Sequence, residues 1–508
     1  MFARSTVLVT LRLAAATWLA AAGAFAASAA PLPDPRPDAG TASRTAAAAE
    51  TLPPAIAAAP AGGYRFKGTE LCVRCHRSEQ GDWVDASTTA TWRHDAHSRA
   101  HLALSADNPR TKVMETALGI TAARTAACVA CHSHSPDEPA VEEETAVVHA
   151  GISCESCHGA GSGYLEPHME KRWRFLPPAE KEALGMHDLR NPVAKAENCL
   201  SCHVGEVASG KIVTHAMYAA GHPPLPAFEM ESFGRALGPH WKRVWEKKPA
   251  VQELAARAGY RTEARSESQR SLIGALVALE RSAGLARSYA AAAAADPRGL
   301  AWPELSLYDC QACHHELAVP SARQATGYGG LVPGRPSLSR WPRELAGVAF
   351  ARAGMPTDVD LLMAPYRDAL SERPFGTAAG VRDASADPPH SIDAAIRALA
   401  AAPRDEGLAA AERETAAALA RAGAASGDFE SARLLAWVLA PLLEREPTAG
   451  GAAAAARLRK ALALDFPTPA YPDPGSMAKP FWETSLSAAA AADVEGIRAA
   501  FPAQPQTR

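Results

Sequence analysis

The ten cysteines are the residues of this 508-residue sequence best equipped for chemistry. All ten fall in one pattern, Cys-x-x-Cys-His: CVRCH at Cys72–His76, CVACH at Cys128–His132, CESCH at Cys154–His158, CLSCH at Cys199–His203 and CQACH at Cys310–His314. That pattern is the attachment motif for c-type haem. Residues i, i+3 and i+4 share one face of a helical turn. Both thiols then reach the vinyl groups at the porphyrin edge as thioethers, and the imidazole reaches the iron. The expected cofactor is haem c, five per chain and covalently bound. Cys72, Cys75, Cys128, Cys131, Cys154, Cys157, Cys199, Cys202, Cys310 and Cys313 hold it, and His76, His132, His158, His203 and His314 are proximal ligands.

Other uses of cysteine fit less well. Zinc sites need pairs of pairs, and five is odd. A thioredoxin-type dithiol would occur once, near a βαβ pattern. Disulfides form outside the cytoplasm, but bonds across two intervening residues, five times over, do not make a framework.

Twelve of the 17 histidines remain as candidates for the sixth iron position, and only His390 lies outside the cysteine-bearing block. His/His ligation gives low potentials and a distal Met raises them. Met169, Met217 and Met230 compete, but histidines outnumber them. His94 and His101 flank His97 at helical spacing, where one ligand with two neighbours is preferred to a His-x-x-x-His metal site. His315 either serves an adjacent haem or bonds a propionate. His187 and His390 read as ordinary polar residues. Arg74, Arg77, Lys171 and Arg172 are propionate partners or solvated charges.

The elements around these motifs read as helical. Leu272, Leu276, Leu279 and Leu285 recur at near-helical spacing in a cysteine-free insertion, about 249–300. Two helical runs, Ala410–Ala425 and Glu430–Glu446, flank Gly427-Asp428, and a Pro-rich stretch Phe466–Pro480 follows. The expected class is mainly α with little β structure: haems among short helices and loops, plus an α-helical C-terminal region. Aromatics make up only 6% of the chain, so five haems supply plates for an otherwise thin core.

The N-terminus reads as a Sec-type signal peptide over 1–29. Arg4 and Arg12 precede an apolar run, Leu13–Phe25, and small residues follow. The run is too short and Ala-rich for a span of about 20 strongly apolar residues. The expected organisation is signal 1–29, flexible Pro/Ala-rich linker 30–63, pentahaem domain 64–330 and Ala-rich helical region 331–508. The mature chain is expected in the periplasm, without a stable membrane span. A formal net charge of -3 gives no reason to expect nucleic acid.

The stretches "CVRCHRSEQGDW", "DAHSRAHLAL", "CVACH", "GISCESCHGAGSGYLEPH" and "CLSCH" resemble the tetrahaem cytochrome c-554 family, carriers of electrons from hydroxylamine oxidation. The resemblance covers about 70–222. "THAMYAAGHPPLPAFEM" and "YDCQACHHEL" resemble larger multihaem relatives. The chain departs from the tetrahaem pattern by its fifth motif, its insertion and its long tail. The resemblance implies that His168 lies opposite His76 and His97 opposite His203. It implies His215 or His222 opposite His158, with the other opposite His314 and His240 in reserve. In the family the haem matching that on His132 lacks a strong distal ligand; here the position is open, or His149 fills it in preference to His134.

Two functions follow. The first is electron transfer between redox partner proteins, with a respiratory complex as a possible setting. The second is oxidoreduction of a small nitrogen or sulfur compound at a five-coordinate haem on His132. No Cys-x-x-Cys-Lys motif, the mark of pentahaem nitrite reductases, is present. A docking role for the tail is a third reading; plain packing is preferred to it.

Overall fold

A computed structural model describes residues 63–502, apart from 77–87, 134–150, 467–482 and shorter gaps at 239, 242–243, 261–265, 297–298, 316, 320, 322, 325–326, 329, 385–387, 402–407, 447–448, 485–486 and 490–491. The expected signal peptide, the linker up to Gly62, Arg77, His134, His149 and the Pro-rich stretch beyond Phe466 lie outside the described residues.

The fold class is the expected one, mainly α. Among the described residues there is no β-strand, and β pairing is limited to the isolated bridges Glu206–Lys211 and Tyr308–Leu338.

Residues 63–260 form short helices with polar caps. Asn108 caps Pro109–Leu118 and Asn191 caps Pro192–His203; each places a Pro at the first helical position, where its missing N–H costs nothing. Ser153 and Ser156 form a reciprocal capping box on Cys154–His158. A helix this short is marginal alone, so the caps matter.

The 29-residue helix Glu267–Ala295 starts at Ser266, whose hydroxyl accepts the Gln269 N–H at 3.1 Å. It contains the leucine periodicity seen in the sequence, and Leu272, Ile273, Leu276 and Leu279 are buried. One part of it, Val277 and Ala278, packs with Ala196 and Leu200 of the fourth-motif helix. The rest joins a core that continues through Phe350, Tyr366, Leu419 and Leu439 to Phe501. This helix therefore ties the fourth motif to the C-terminal helices, and the core crosses position 330 without a break.

In the tail, Leu408–Ala425 and Phe429–Arg445 match the two helical runs of the sequence. Asp428 caps the second, accepting the Ser431 N–H at 2.7 Å. No helix among the described residues is long and apolar enough to cross a membrane.

Candidate functional site

Four motifs end α-helices: Thr69–Cys75, Ala126–His132, Cys154–His158 and Pro192–His203. The fifth sits on a single 3₁₀ turn, Cys310–Ala312, and its cysteines are exposed. In each case the motif histidine falls at or just past the end of the turn, beside the thiols.

Each motif histidine faces a second histidine. Ring centroids are 6.3 Å apart for His76 and His168, 6.2 Å for His132 and His222, and 6.5 Å for His158 and His240. They are 6.2 Å apart for His97 and His203, and 6.2 Å for His215 and His314. A metal–imidazole bond is about 2.0–2.1 Å and a ring nitrogen lies about 1.1 Å from its centroid, so two imidazoles across one iron stand about 6.2–6.4 Å apart. A direct N–H···N hydrogen bond would bring the centroids to about 5 Å. The residues thus fit a six-coordinate haem iron at every motif.

His97, His168 and His222 are held through Nδ1, which leaves Nε2 for the partner ring. His97 Nδ1 lies 2.8 Å from Asp95 Oδ2, His168 Nδ1 2.5 Å from the Leu165 carbonyl and His222 Nδ1 2.7 Å from the Pro223 carbonyl. Among the motif histidines, His132 Nδ1 lies 3.1 Å from the Ala100 carbonyl. Burial pushes His203 down to about 3 and His158 and His222 down to about 4, and also lowers His76 and His132. The neutral imidazole that results is the coordinating form. At His97 burial also works downward, but the hydrogen bond that its Nδ1–H donates to Asp95, with the Asp95 charge, prevails and the net shift is upward.

The placement of His168 and His97 agrees with the resemblance, and so does His215 beside His314. The structure differs at two motifs. His240, the reserve, faces His158, while His222 faces His132. The backbone explains this. His215 and His222 lie on one short segment, the helix His215–Ala219 and the turn at Gly221 (φ 112°), which lies between the second and fifth motifs. The His215 N–H donates to Glu304 Oε1 at 2.7 Å, just ahead of the fifth motif. His240 follows the helix Met230–Leu237 and a turn at Gly238 (φ 82°), and reaches the third motif from there. His187 Nδ1–H donates to the Cys157 carbonyl, 3.1 Å away. His315 and His390 are exposed, as are Lys171, Arg172 and Arg74. Met169 is 66% exposed and Met230 is packed in the core, so neither faces a motif histidine. No group of three or more His, Cys, Asp or Glu residues with metal-site geometry occurs among the described residues, His94 and His101 included.

The motifs lie in a definite spatial order. The Cys72 and Cys154 thiols lie side by side, joining first to third. Cys157 lies beside Cys199 and Cys202, joining third to fourth. The Cys131 and Cys202 thiols lie side by side, joining second to fourth. Tyr218, 6.0 Å from the His222 ring, also neighbours Cys310, joining second to fifth.

Two supports are not visible in the motif itself. Glu155, a variable position of the third motif, is buried and accepts N–H bonds from Lys67, Gly68 and Gly161, the last two at 2.7 Å. It pins the strand of chain entering the first motif onto the third. Gly151 fits against the His97 turn so closely that a Cβ would lie 2.2 Å from the His97 carbonyl, and the Ile152 N–H bonds that carbonyl at 2.8 Å.

Residues 71–159, which hold the first three motifs, match the family model described as cytochrome c554 and c-prime. Cytochrome c-554 of Nitrosomonas europaea is 25% identical over 203 residues, 36% of this chain and 80% of that protein. No solved structure matches the chain. Those matches fall on the part of the chain that carries the first motif helices, and over that part the chain is similar to c-554-type cytochromes, which supports a c-type cytochrome with covalently bound haem.

Proposed function

We propose that the chain is an extracytoplasmic pentahaem c-type cytochrome that carries electrons between redox partner proteins. The observation that supports this best is the repetition of one histidine-to-histidine spacing at all five motifs, His132 and His222 included. Bound haem supplies a one-electron ferric/ferrous couple. The chain's own residues would hold each haem between a motif histidine and its paired histidine, with the His97, His168 and His222 rings fixed through Nδ1, and would set the attachment sites in the order first, third, fourth, second, fifth. His222 closes the position that an open catalytic iron on His132 would need, which favours a carrier over a small-molecule oxidoreductase. The apolar leader ahead of the first motif supports an export route to the periplasm, where haem attachment of this type takes place.

The test is spectroscopic. A pyridine haemochrome assay should give five haems per chain, and low-temperature EPR of the oxidised protein should be wholly low-spin. A stoichiometric high-spin ferric signal in the native protein would instead favour the oxidoreductase. His222→Ala should turn one low-spin haem high-spin, and His240→Ala a different one.

A further inference from the structure

A cavity of about 790 Å³ lies between the fourth motif's surroundings and the C-terminal helices. That volume is in the range of sites that hold whole cofactors. On one side are Asp95, which holds His97, and Arg99. On another are Ser232 and Arg235, flanking Phe233, whose ring is 5.4 Å from that of His203. The far wall comes from the tail: Trp437, Arg459 and Phe466. Phe233 lies 5.7 Å from Trp437 and 5.1 Å from Phe466, and these two stack at 5.6 Å with 9° between their planes. Trp437 is fixed by its indole N–H, which donates to the Leu464 carbonyl at 2.8 Å. A continuous aromatic wall thus runs from the fourth motif histidine into a region far beyond the segment that matches the family model.

The charges at this cavity are unusual. Arg459 pairs with Glu444 at 2.8 Å and Asp465 at 2.9 Å, while Arg235 pairs with Glu267, which also takes Arg445 at 3.0 Å. Arg235, Arg445 and Arg459 stand close enough for the other two to push Arg235 down, after burial. Arg99 adds a fourth guanidinium, with a buried Nε that has no partner among the described residues. Converging guanidinium groups beside an apolar cavity suit an anion with planar carboxylates.

We propose that the C-terminal helices form the outer wall of the pocket for the haem on His203, with Arg235 and Arg459 pairing with its propionate carboxylates. The proposal rests on the pentahaem reading above. It gives the tail a cofactor-positioning role in place of plain packing or docking. Reduction removes one positive charge from the haem, so a nearby fixed cation favours the reduced form. Taking a guanidinium away should therefore lower that haem's midpoint potential.

The experiment is an EPR-monitored redox titration of the full-length holoprotein. The component belonging to the haem on His203 is identified as the low-spin signal lost in His97→Ala. Arg459→Gln should lower its midpoint while leaving the other four in place, Arg235→Gln should do the same, and the double variant should lower it further. Arg459→Lys should retain most of the native value, and Arg382→Gln, at an exposed pair with Asp383, should change nothing. Five unshifted midpoints in the double variant, or a shift confined to another haem, would overturn the proposal. If Arg459→Gln loses haem, Arg235→Gln alone decides. The pentahaem reading is judged separately, by haem count and spin state of the unmodified protein.

Discussion

The two halves of this chain solve the problem of a stable interior in different ways. Residues 267–501 bury a continuous aliphatic and aromatic core on long helices, with Leu276, Phe350, Leu419, Leu435 and Leu439 fully buried. Among the described residues, 63–260 have no comparable core. Their longest described helix, Pro192–His203, has 12 residues, and their described buried apolar side chains are scattered. What holds them is polar: the Glu155 clamp, the caps at Asn108, Ser153 and Asn191, and Glu231 bound by Arg270 at 2.6 Å and Lys195 at 3.2 Å. Polar clamps specify geometry but contribute little net burial. The missing apolar volume is what covalently bound haem would provide, so the first half should depend on its cofactors, and the long helices of the second, apart from the fifth motif at Cys310–His314, should not.

The largest test of that contrast is the haem-free chain, made without the attachment machinery or with the ten cysteines replaced by serine. Helices from Thr69–Cys75 to Met230–Leu237 should exchange their amide hydrogens near the unfolded rate. Glu267–Ala295 and Phe429–Arg445 should stay protected. Equal protection in both halves would break the comparison.

A smaller effect probes the other half. Phe350 is fully buried among Leu345, Tyr366 and the long helix. Phe350→Ala should destabilise the C-terminal helices by about 3–5 kcal/mol, the usual cost of emptying an aromatic site. The haem count and the low-spin spectrum should not change. Loss of haem in this variant would mean that the first half leans on the tail far more broadly than through one pocket.

The halves also differ in what their sequences disclose. In the tail, apolar period alone locates Leu408–Ala425 and Phe429–Arg445 to within a few residues, because each helix buries one face and Asp428 caps the second. In the haem block, cysteine spacing marks the attachment sites with no help from periodicity. The pairings at His76 and His203 follow from local text that a relative shares. Those at His132 and His158 do not, because they depend on where the chain turns at Gly221 and Gly238 and so on tertiary course. Glu155 is hidden because any residue satisfies the motif at its position; its value comes from three amides contributed by other segments. The aromatic wall of Phe233, Trp437 and Phe466 is invisible for the same reason, its members being distant in sequence.

A still smaller effect separates the halves by pH. Glu344, on the helix Arg343–Arg352, sits beside Ser426 and Asp428 at the turn between the two tail helices. Burial, reinforced by the Asp428 charge, pushes its carboxyl up to about 7, against a weaker opposing hydrogen bond from Ser426. The folded tail therefore holds a proton that the unfolded chain releases near pH 4.5. The unfolded state binds fewer protons in that window, so stability falls as pH rises. The contribution is complete below about 4.5 and is lost progressively up to about 7, amounting to about 1–3 kcal/mol. Glu344→Gln keeps the shape and removes the titration. Its tail should unfold with a flatter pH dependence between 5 and 8 and should be more stable than the native chain at pH 8, as read by circular dichroism at a fixed denaturant series. An unchanged slope would show that the carboxyl is already ionised in the folded tail and that its burial is compensated by Arg340.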